Sequence, residues 1–501
     1  MTIMVCFLAL ATLLELCTYG LPFMWAARKF ILPILIVIIA FSSGALFMAR
    51  PHVVSGLILA LSAYRAFNNI RVMQQRMHEK YLRRSTRRTS FSLVALQIVL
   101  AGLWFLWNHY NLGTHPLWIL GAAAQLLVAA VLLWSTLRSL KRTLPRPVQK
   151  AYVDASLPSI TVAIPARNET EDLEQCLTTL IASDYPKLEI IVLDDCSQLK
   201  RTPEIIRSFA HDGVRFVQGA GPRDTWLPKN QAYQRLAQEA SGEYIVFCGV
   251  DIRFERETLR KLITALLARK KSMISALPQC TATPEGNFAI VQAMRYWWEL
   301  VPPRRLFRRP PVMSSLWAIS KKALKQAGGF EAVTRSIVPE AYFAHQLIAQ
   351  DQYSFLRSDA LLGVTTVKSV PEQRATAVRM RYPQLHRRPE QVFATALLEV
   401  AFLFSPFVLA IGGFWWHIGS FTQIFAALGA ILLILSHSLM TRATNVSTAW
   451  ASVLGFPAMI IYDVGLLHYS MWRYEFSEVE WKGRNVCVPA MHVVPHLPKI
   501  D

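Results

Sequence analysis

The uneven spread of apolar residues constrains this chain more than any other feature. Residues 1–140 and 391–472 are mostly long apolar runs, whereas 156–390 alternates short apolar segments with amphipathic ones. A helix needs about 20 residues to cross a bilayer. Runs near 31–49, 91–110, 117–137, 392–412 and 420–440 reach that length, and weaker runs lie at 3–25, 51–67 and 450–471. The pattern predicts an N-terminal transmembrane region of about five helices over 1–140 and a soluble domain over 156–390. C-terminal transmembrane or interfacial helices over 391–472 and a tail over 473–501 complete the expected plan. The first run reads as a span rather than a cleaved signal, because Glu15 interrupts it and further spans follow.

The net charge of +20 would suggest nucleic acid in a soluble protein. Here the basic residues cluster beside apolar runs: KYLRRSTRR (80–88) precedes one span and RSLKR (138–142) follows another. Lysine and arginine at span ends mark the cytoplasmic side. They also suit anionic lipid headgroups. The expectation is a multi-pass plasma-membrane protein with its 156–390 domain in the cytosol, and no nucleic-acid partner, since no recognition module is present. Asp463 and His468 weaken the last run as a full crossing, which leaves the tail inside. Seven cysteines are scattered without a CxxC pair, as in a reducing compartment, and provide no metal framework. The sequon Asn445-Val446-Ser447 is too short a pattern to carry weight.

Within 156–390 the period switches repeatedly between strand and helix. Strands are expected at 159–167, 188–195, 214–219 and 243–251, with helices at 169–184, 202–210, 229–240 and 255–269. Such alternation implies a mostly parallel sheet. Ligands of these sheets bind beyond the carboxyl ends of the strands. Three groups fall at those ends: Pro165 to Glu169, the pair Asp194-Asp195, and Asp251. An acid pair there either accepts hydrogen bonds from a nucleobase imide and ribose hydroxyls, or starts a turn or caps a helix.

The stretches IPARNE (164–169), DYPKLEIIVLDDCS (184–197), WLPK (226–229), SGEYIVF (241–247) and GGFEAV (328–333) resemble the family 2 glycosyltransferases over about 156–372. WLPK and the tail VEWKGRNV (479–486) are similar to the membrane-bound branch that glycosylates lipids such as carotenoid and hopanoid acceptors. The resemblance implies an α/β GT-A domain between N- and C-terminal transmembrane helices. It also implies inverting, non-processive transfer of a sugar from a nucleotide-diphospho-sugar to a membrane lipid. Five spans ahead of the domain go beyond that branch.

The same resemblance assigns roles. Pro165, Arg167, Glu169, Asp194, Asp195 and Lys229 would bind the nucleotide-sugar, with Lys229 offsetting phosphate charge. The family holds Mg2+ or Mn2+ through an Asp-x-Asp pattern, and its last acid corresponds to Asp251. Gly249 replaces the first acid. One carboxylate is adequate for Mg2+ if phosphate oxygens and waters complete the shell. The family's base, usually in a Glu-Asp pair, aligns with Pro339-Glu340, so Glu340 takes the position that accepts the acceptor's proton. A Gln-x-x-Arg-Trp processivity signature is not found, which argues against a polymer synthase. Arg379 and Arg381 are expected at lipid headgroups, with contact to a diphosphate or lipid phosphate as the other reading. PPRRLFRRPP (302–311) would shape the acceptor entrance or touch the membrane. Loss of acids at both 249 and 339 leaves an alternative: a nucleotide-sugar-binding or scaffolding membrane protein without turnover.

Overall fold

Strands in the middle of the chain send alternate side chains to two different cores, and this makes the sheet. In the computed structural model the described residues are all except 1, 22–23, 26, 50–52, 75–78, 110–116, 146–151, 222, 224, 282–288, 302–309, 417–418, 446–454 and 488–501. The side chains of the basic run 80–88, most of the 302–311 segment and the end of the sequon lie outside them.

The strands are β1 (Ile160–Ala166), β2 (Leu188–Asp194), β3 (Val214–Gln218), β4 (Tyr244–Cys248), β5 (Ile252–Phe254), β6 (Met273–Leu277), β7 (Gln279–Cys280), β8 (Leu316–Ser320), β9 (Tyr353–Arg357) and β10 (Val364–Thr366). Seven of them form one sheet in the order β3-β2-β1-β4-β8-β6-β9, with β8 antiparallel to both neighbours. Ile160, Val162 and Ile164 of β1, Val246 of β4 and Leu316 of β8 pack into one core. Their neighbours Ala163, Ile245, Phe247 and Trp317 pack into the other. Both faces are therefore dry, as a sheet flanked by crossover helices requires. Each large side chain so buried contributes about 1.5–3 kcal/mol.

The first four strands follow the expected order, but the expected strand 243–251 is broken. β4 stops at Cys248, the chain turns through Gly249, Val250 and Asp251, and β5 joins a second sheet ordered β5-β10-β7. The turn is pinned from three sides. The Gly249 N–H donates to the Ser315 carbonyl at 2.9 Å, the Ile252 N–H to that of Gly249 at 3.3 Å, and the Val367 N–H to that of Asp251 at 3.1 Å. Asp251 thus stands where one sheet hands the chain to the other.

The chain folds as two compact units: 1–123 with 388–397 and 413–423, and 124–387 with 398–412 and 424–501. The first unit contains the helices Thr2–Gly20, Arg28–Ala49, Val53–Gln74 and Glu79–His109. Leu32, Leu35 and Ile39 face its core, whereas Phe30, Val37, Phe41 and Met48 are exposed on the other side of the same helix. Inside the unit, Arg65 pairs with Glu15 at 2.5 Å, both fully buried.

Among the described residues four helices are long and apolar enough to cross a membrane: Arg28–Ala49, Trp118–Thr143, Pro389–Gly413 and Ser420–Thr444. The expected span 91–110 has a shorter apolar stretch, Ser90–Phe105, within its helix. In the second unit the helix Ala289–Leu300 is bound to two of the long ones. Trp297 donates its indole N–H to the Ser436 hydroxyl at 2.9 Å, and Ser139 donates its hydroxyl to the Leu300 carbonyl at 2.7 Å.

Candidate functional site

Beyond the carboxyl ends of β1 and β4 lies a cleft of about 420 Å³. Pro165, Glu169, Lys229, Gly249 and Asp251 line it, together with Arg295, Thr366, Lys368, Arg379 and Trp481. Four of the eight expected site residues therefore share one cavity. Arg167, Asp194, Asp195 and Glu340 are not on its wall.

Asp194 and Asp195 divide their work. Asp194 Oδ1 accepts from the Ser197 N–H at 3.1 Å, the turn-starting geometry. Asp195 Oδ2 accepts from Arg484 Nη1 at 2.6 Å. Burial raises the Asp195 pKa, and the Arg484 guanidinium only partly offsets this. Arg167 donates to the Asp195 and Cys196 carbonyls at 2.7 and 2.5 Å, and through Nε to the Lys482 carbonyl at 3.0 Å. Lys482 in turn pairs with Glu169 at 3.0 Å.

The contacts of Arg484 with Asp195, of Arg167 Nε with Lys482 and of Lys482 with Glu169 hold a C-terminal hairpin, β11 (Glu480–Trp481) and β12 (Arg484–Asn485), against the ends of β1 and β2. Its turn residues Lys482 and Gly483 have φ of 48° and 75°, as a tight two-residue hairpin demands. A lone two-stranded hairpin is marginal in water, so its ion pairs decide whether it stays down. Arg484→Ala leaves the buried Asp195 carboxylate without its guanidinium. Limited proteolysis of the variant is expected to cut within 473–487 faster than in the parent, and an unchanged cleavage rate would show that the hairpin is held by something else.

Lys229 opens the helix Pro228–Glu239 and lies over the Tyr233 ring at 5.1 Å. Burial lowers its pKa; Glu340 opposes that, and Arg379 and Lys368 reinforce it. The next residue, Asn230, donates its amide to the carbonyls of Val333 and Ser336, each at 2.8 Å. It thereby fixes the loop that leads into the helix Pro339–Ala349. Proline suits the first turn of that helix, where its missing N–H costs nothing, and Glu340 follows, with its carboxylate at the favourable dipole end. Phe343 anchors the same helix against Phe330 and Trp317, at ring centroid distances of 5.4 and 6.1 Å. Glu340 itself is fully buried, and neither carboxylate oxygen has a hydrogen-bond partner among the described residues. Burial raises its pKa, and the nearby Lys229 ammonium pulls it back in part.

Asp251 Oδ2 accepts from the Thr366 hydroxyl at 2.9 Å and lies 3.8 Å from Lys368 Nζ. Burial alone would raise the Asp251 pKa, but the Lys368 ammonium and the Thr366 hydroxyl lower it overall. Lys368 was not anticipated from the sequence. It precedes Ser369, whose N–H and hydroxyl both donate to Glu372 at the start of the helix Val370–Gln384. The Ser-x-x-Glu spacing was the available sign of a fixed helix start there.

Arg379 and Arg381 depart from the headgroup expectation. Arg379 lines the cleft, and burial pushes its pKa down to about 10. Arg381 is turned the other way, paired with Asp463 and, at 3.5 Å, with Glu399.

Residues 161–326 match the family model described as Glycosyl transferase family 2. The chain carries a family 2 glycosyltransferase domain. Glycosyltransferase AglE of Haloferax volcanii is 27% identical over 139 residues, 27% of this chain and 44% of that protein. Probable glycosyltransferase YdaM of Bacillus subtilis is 26% identical over 184 residues, 35% of this chain and 43% of that protein. The chain thus spans less than half the length of these curated relatives. A mannosyltransferase of Pyrobaculum calidifontis, solved in complex with GDP-Man and Mn2+, is 18% identical; the match covers 71% of this chain and 98% of that one, with a TM-score of 0.42. The glycosyltransferase domain has a mixed α/β sheet, and its family match ends before Glu340, Lys368 and Arg379.

Proposed function

We propose that this glycosyltransferase domain moves one sugar from a nucleotide-diphospho-sugar to a lipid held in the membrane, with inversion. One observation carries the reading. The helix Ala289–Leu300 places Arg295 and Tyr296 on the cleft while its Trp297 and Leu300 are hydrogen-bonded to two helices long enough to span a bilayer. A cleft walled in this way suits an acceptor that stays in lipid and a donor that arrives from water. The unit would sit as a multi-pass protein with the domain in the cytosol, beside anionic headgroups.

In the proposed reaction an acceptor hydroxyl attacks the anomeric carbon as the bond from that carbon to the diphosphate oxygen breaks. The electron pair of that bond leaves on the nucleoside diphosphate, and the hydroxyl proton passes to Glu340. Pro165 and Glu169 face the nucleotide end and Lys229 the diphosphate. Arg167, Asp194 and Asp195 meet the nucleoside when the hairpin over them lifts. The missing acids at Gly249 and Pro339 favour a second reading, a donor-binding protein without turnover.

The test is transfer in liposomes. The purified full chain is reconstituted with total membrane lipid and offered radiolabelled nucleotide-sugars one at a time. Label from one donor moving into the organic phase, one sugar per lipid, is the expected result. Donor binding without labelled lipid supports the second reading, and products with long sugar chains would end the single-transfer proposal.

A further inference from the structure

The residues around Asp251 do not suit a resident divalent ion. One oxygen of its carboxylate, Oδ2, accepts from the Thr366 hydroxyl at 2.9 Å and lies 3.8 Å from the Lys368 ammonium, with side-chain exposures of 18% for Asp251 and 22% for Lys368. A metal on that carboxylate would have to lie beside the ammonium. No second acid stands at 249: the position is glycine, and a Cβ there would sit 2.5 Å from Asp251 Oδ1, so an acid at 249 would require the Asp251 carboxylate to turn. Among the described residues no group of three His, Cys, Asp or Glu side chains is arranged to hold a metal. Hard cations select clustered oxygen ligands, and this cluster is instead cationic.

Lys229, Lys368 and Arg379 all line the cleft with Asp251. They are close enough for Arg379 and Lys368 to depress Lys229, and for Asp251 to act on both Lys229 and Arg379. Neither Lys229 nor Arg379 forms an ion pair among the described residues. Lys229, Lys368, Arg379 and Arg295 are four cations on the wall that holds Asp251, so positive side chains outnumber that carboxylate. Placing like charges together without a counter-ion costs energy, and an arriving polyanion recovers it. Among the other acids of the wall, Glu169 pairs with Lys482 and Asp172 with Arg253, Glu372 accepts from the Ser369 hydroxyl, and Glu480 lines the cleft as well.

We infer that the donor's diphosphate is neutralised by side-chain cations, Lys368 foremost, in place of a resident divalent metal, and that Asp251 serves to hold the Lys368 ammonium in position. The inference rests on the donor-binding reading above. It assigns Lys368 as a binding residue and changes the role of Asp251 from metal ligand to positioning residue. The capping contacts of Ser369 and the Gln373 amide, which donates to the Lys368 carbonyl at 2.8 Å, fix the backbone from which the ammonium reaches across.

The experiment uses the full chain in detergent micelles, with UDP, GDP, UMP and GMP as probes, titrated by calorimetry once in EDTA and once in MnCl2. At least one diphosphate is expected to bind equally under both conditions. Lys368→Met is expected to weaken that diphosphate by about tenfold or more, the loss of one charge-assisted phosphate contact, while binding of the matching monophosphate barely moves. Lys368→Arg is expected to restore it. Lys368→Asp places a second carboxylate beside Asp251 and is expected to make diphosphate binding require Mn2+. The parent comparison needs no variant to fold. Binding lost in EDTA and regained in MnCl2 by the parent overturns the inference while leaving the donor site standing. No nucleotide bound under either condition overturns both.

Discussion

Glu340→Gln is expected to slow sugar transfer by about 10²–10⁴-fold, the range a positioned general base supplies, while nucleoside diphosphate binding stays at the parent level. The glutamine keeps the shape and loses only the ability to take a proton. Glu340 is suited to that task by its isolation: a buried carboxylate whose two oxygens have no hydrogen-bond partner among the described residues still has its full accepting capacity free. It lies behind the cleft wall, near Lys229, on a helix whose entry loop is latched by Asn230. Catalytic hydrogen bonds are often formed only in the loaded complex, so the carboxylate is expected to meet the hydroxyl once donor and acceptor fill the cleft.

The pH profile gives an independent check on Glu340. Burial holds its folded pKa above the ordinary value of 4.5, even with Lys229 opposing. A base must be ionised, so activity is expected to fall as pH drops through that raised pKa, higher than for an ordinary carboxylate. Stability has the opposite sign. Between the unfolded and the raised folded pKa the folded state binds the extra proton, so ionising Glu340 costs stability as pH rises through that window. Glu340→Gln removes the cost, and its melting temperature at neutral pH is expected to equal or exceed that of the parent. A variant with parent-like rate and an unshifted acid limb would remove Glu340 from the mechanism.

Much of this architecture is legible in the residues. The runs around Val162, Ile190 and Val246 have the β-branched content and length of buried strands, and they became β1, β2 and β4 in register. Strand ends also located the cleft, because Pro165 and Asp251 follow where a parallel sheet binds its ligands. The break after Cys248 was harder to see, since the apolar residues continue past it at Val250, Ile252 and Phe254, and the turn at Gly249 depends on its tie to the distant Ser315. Side-chain partners remote in the chain were not legible. Nothing near Asp251 announces Lys368, 117 positions later, or the Arg484 that covers Asp195 from 289 positions away. Local pattern reports helices and strands, and such pairings arise only when the sheet and the C-terminal segment fold back together. Arg381 misled for a related reason: a basic residue before an apolar run suggests headgroups, and its acid partners lie in runs that read as membrane helices.

The second large effect is expected at that arginine. Arg381→Ala would leave Asp463 and Glu399 facing one another without their cation, and removing one partner from a buried ion cluster costs about 3–5 kcal/mol. Arg381 pairs with both acids, Trp298 donates its indole N–H to Asp463 at 2.9 Å, and Glu399 begins the π-helical turn Glu399–Phe404. The damage is expected to reach the cleft. Arg381 sits two residues from Arg379, and the helix that carries both is fixed in register by the Tyr382 N–H, which donates to the Ser470 hydroxyl at 3.1 Å. Losing the ion cluster leaves that register to Ser470, to Tyr474, whose hydroxyl reaches the Arg379 carbonyl at 2.7 Å, to Glu475, which accepts from the Tyr382 hydroxyl at 2.6 Å, and to the packing of Ala377 and Val378 on Met459 and Leu466. Thermal unfolding in detergent should show a large drop for Arg381→Ala. The triple change Arg381→Met, Asp463→Leu and Glu399→Gln should recover most of it, since a buried ion cluster replaced by apolar groups of similar volume is often neutral. Nucleotide affinity should follow the same order, falling in the single variant and returning in the triple one. An unfolding curve unmoved by Arg381→Ala would mean that the three charges are solvated rather than buried, and that the cleft holds its shape without them.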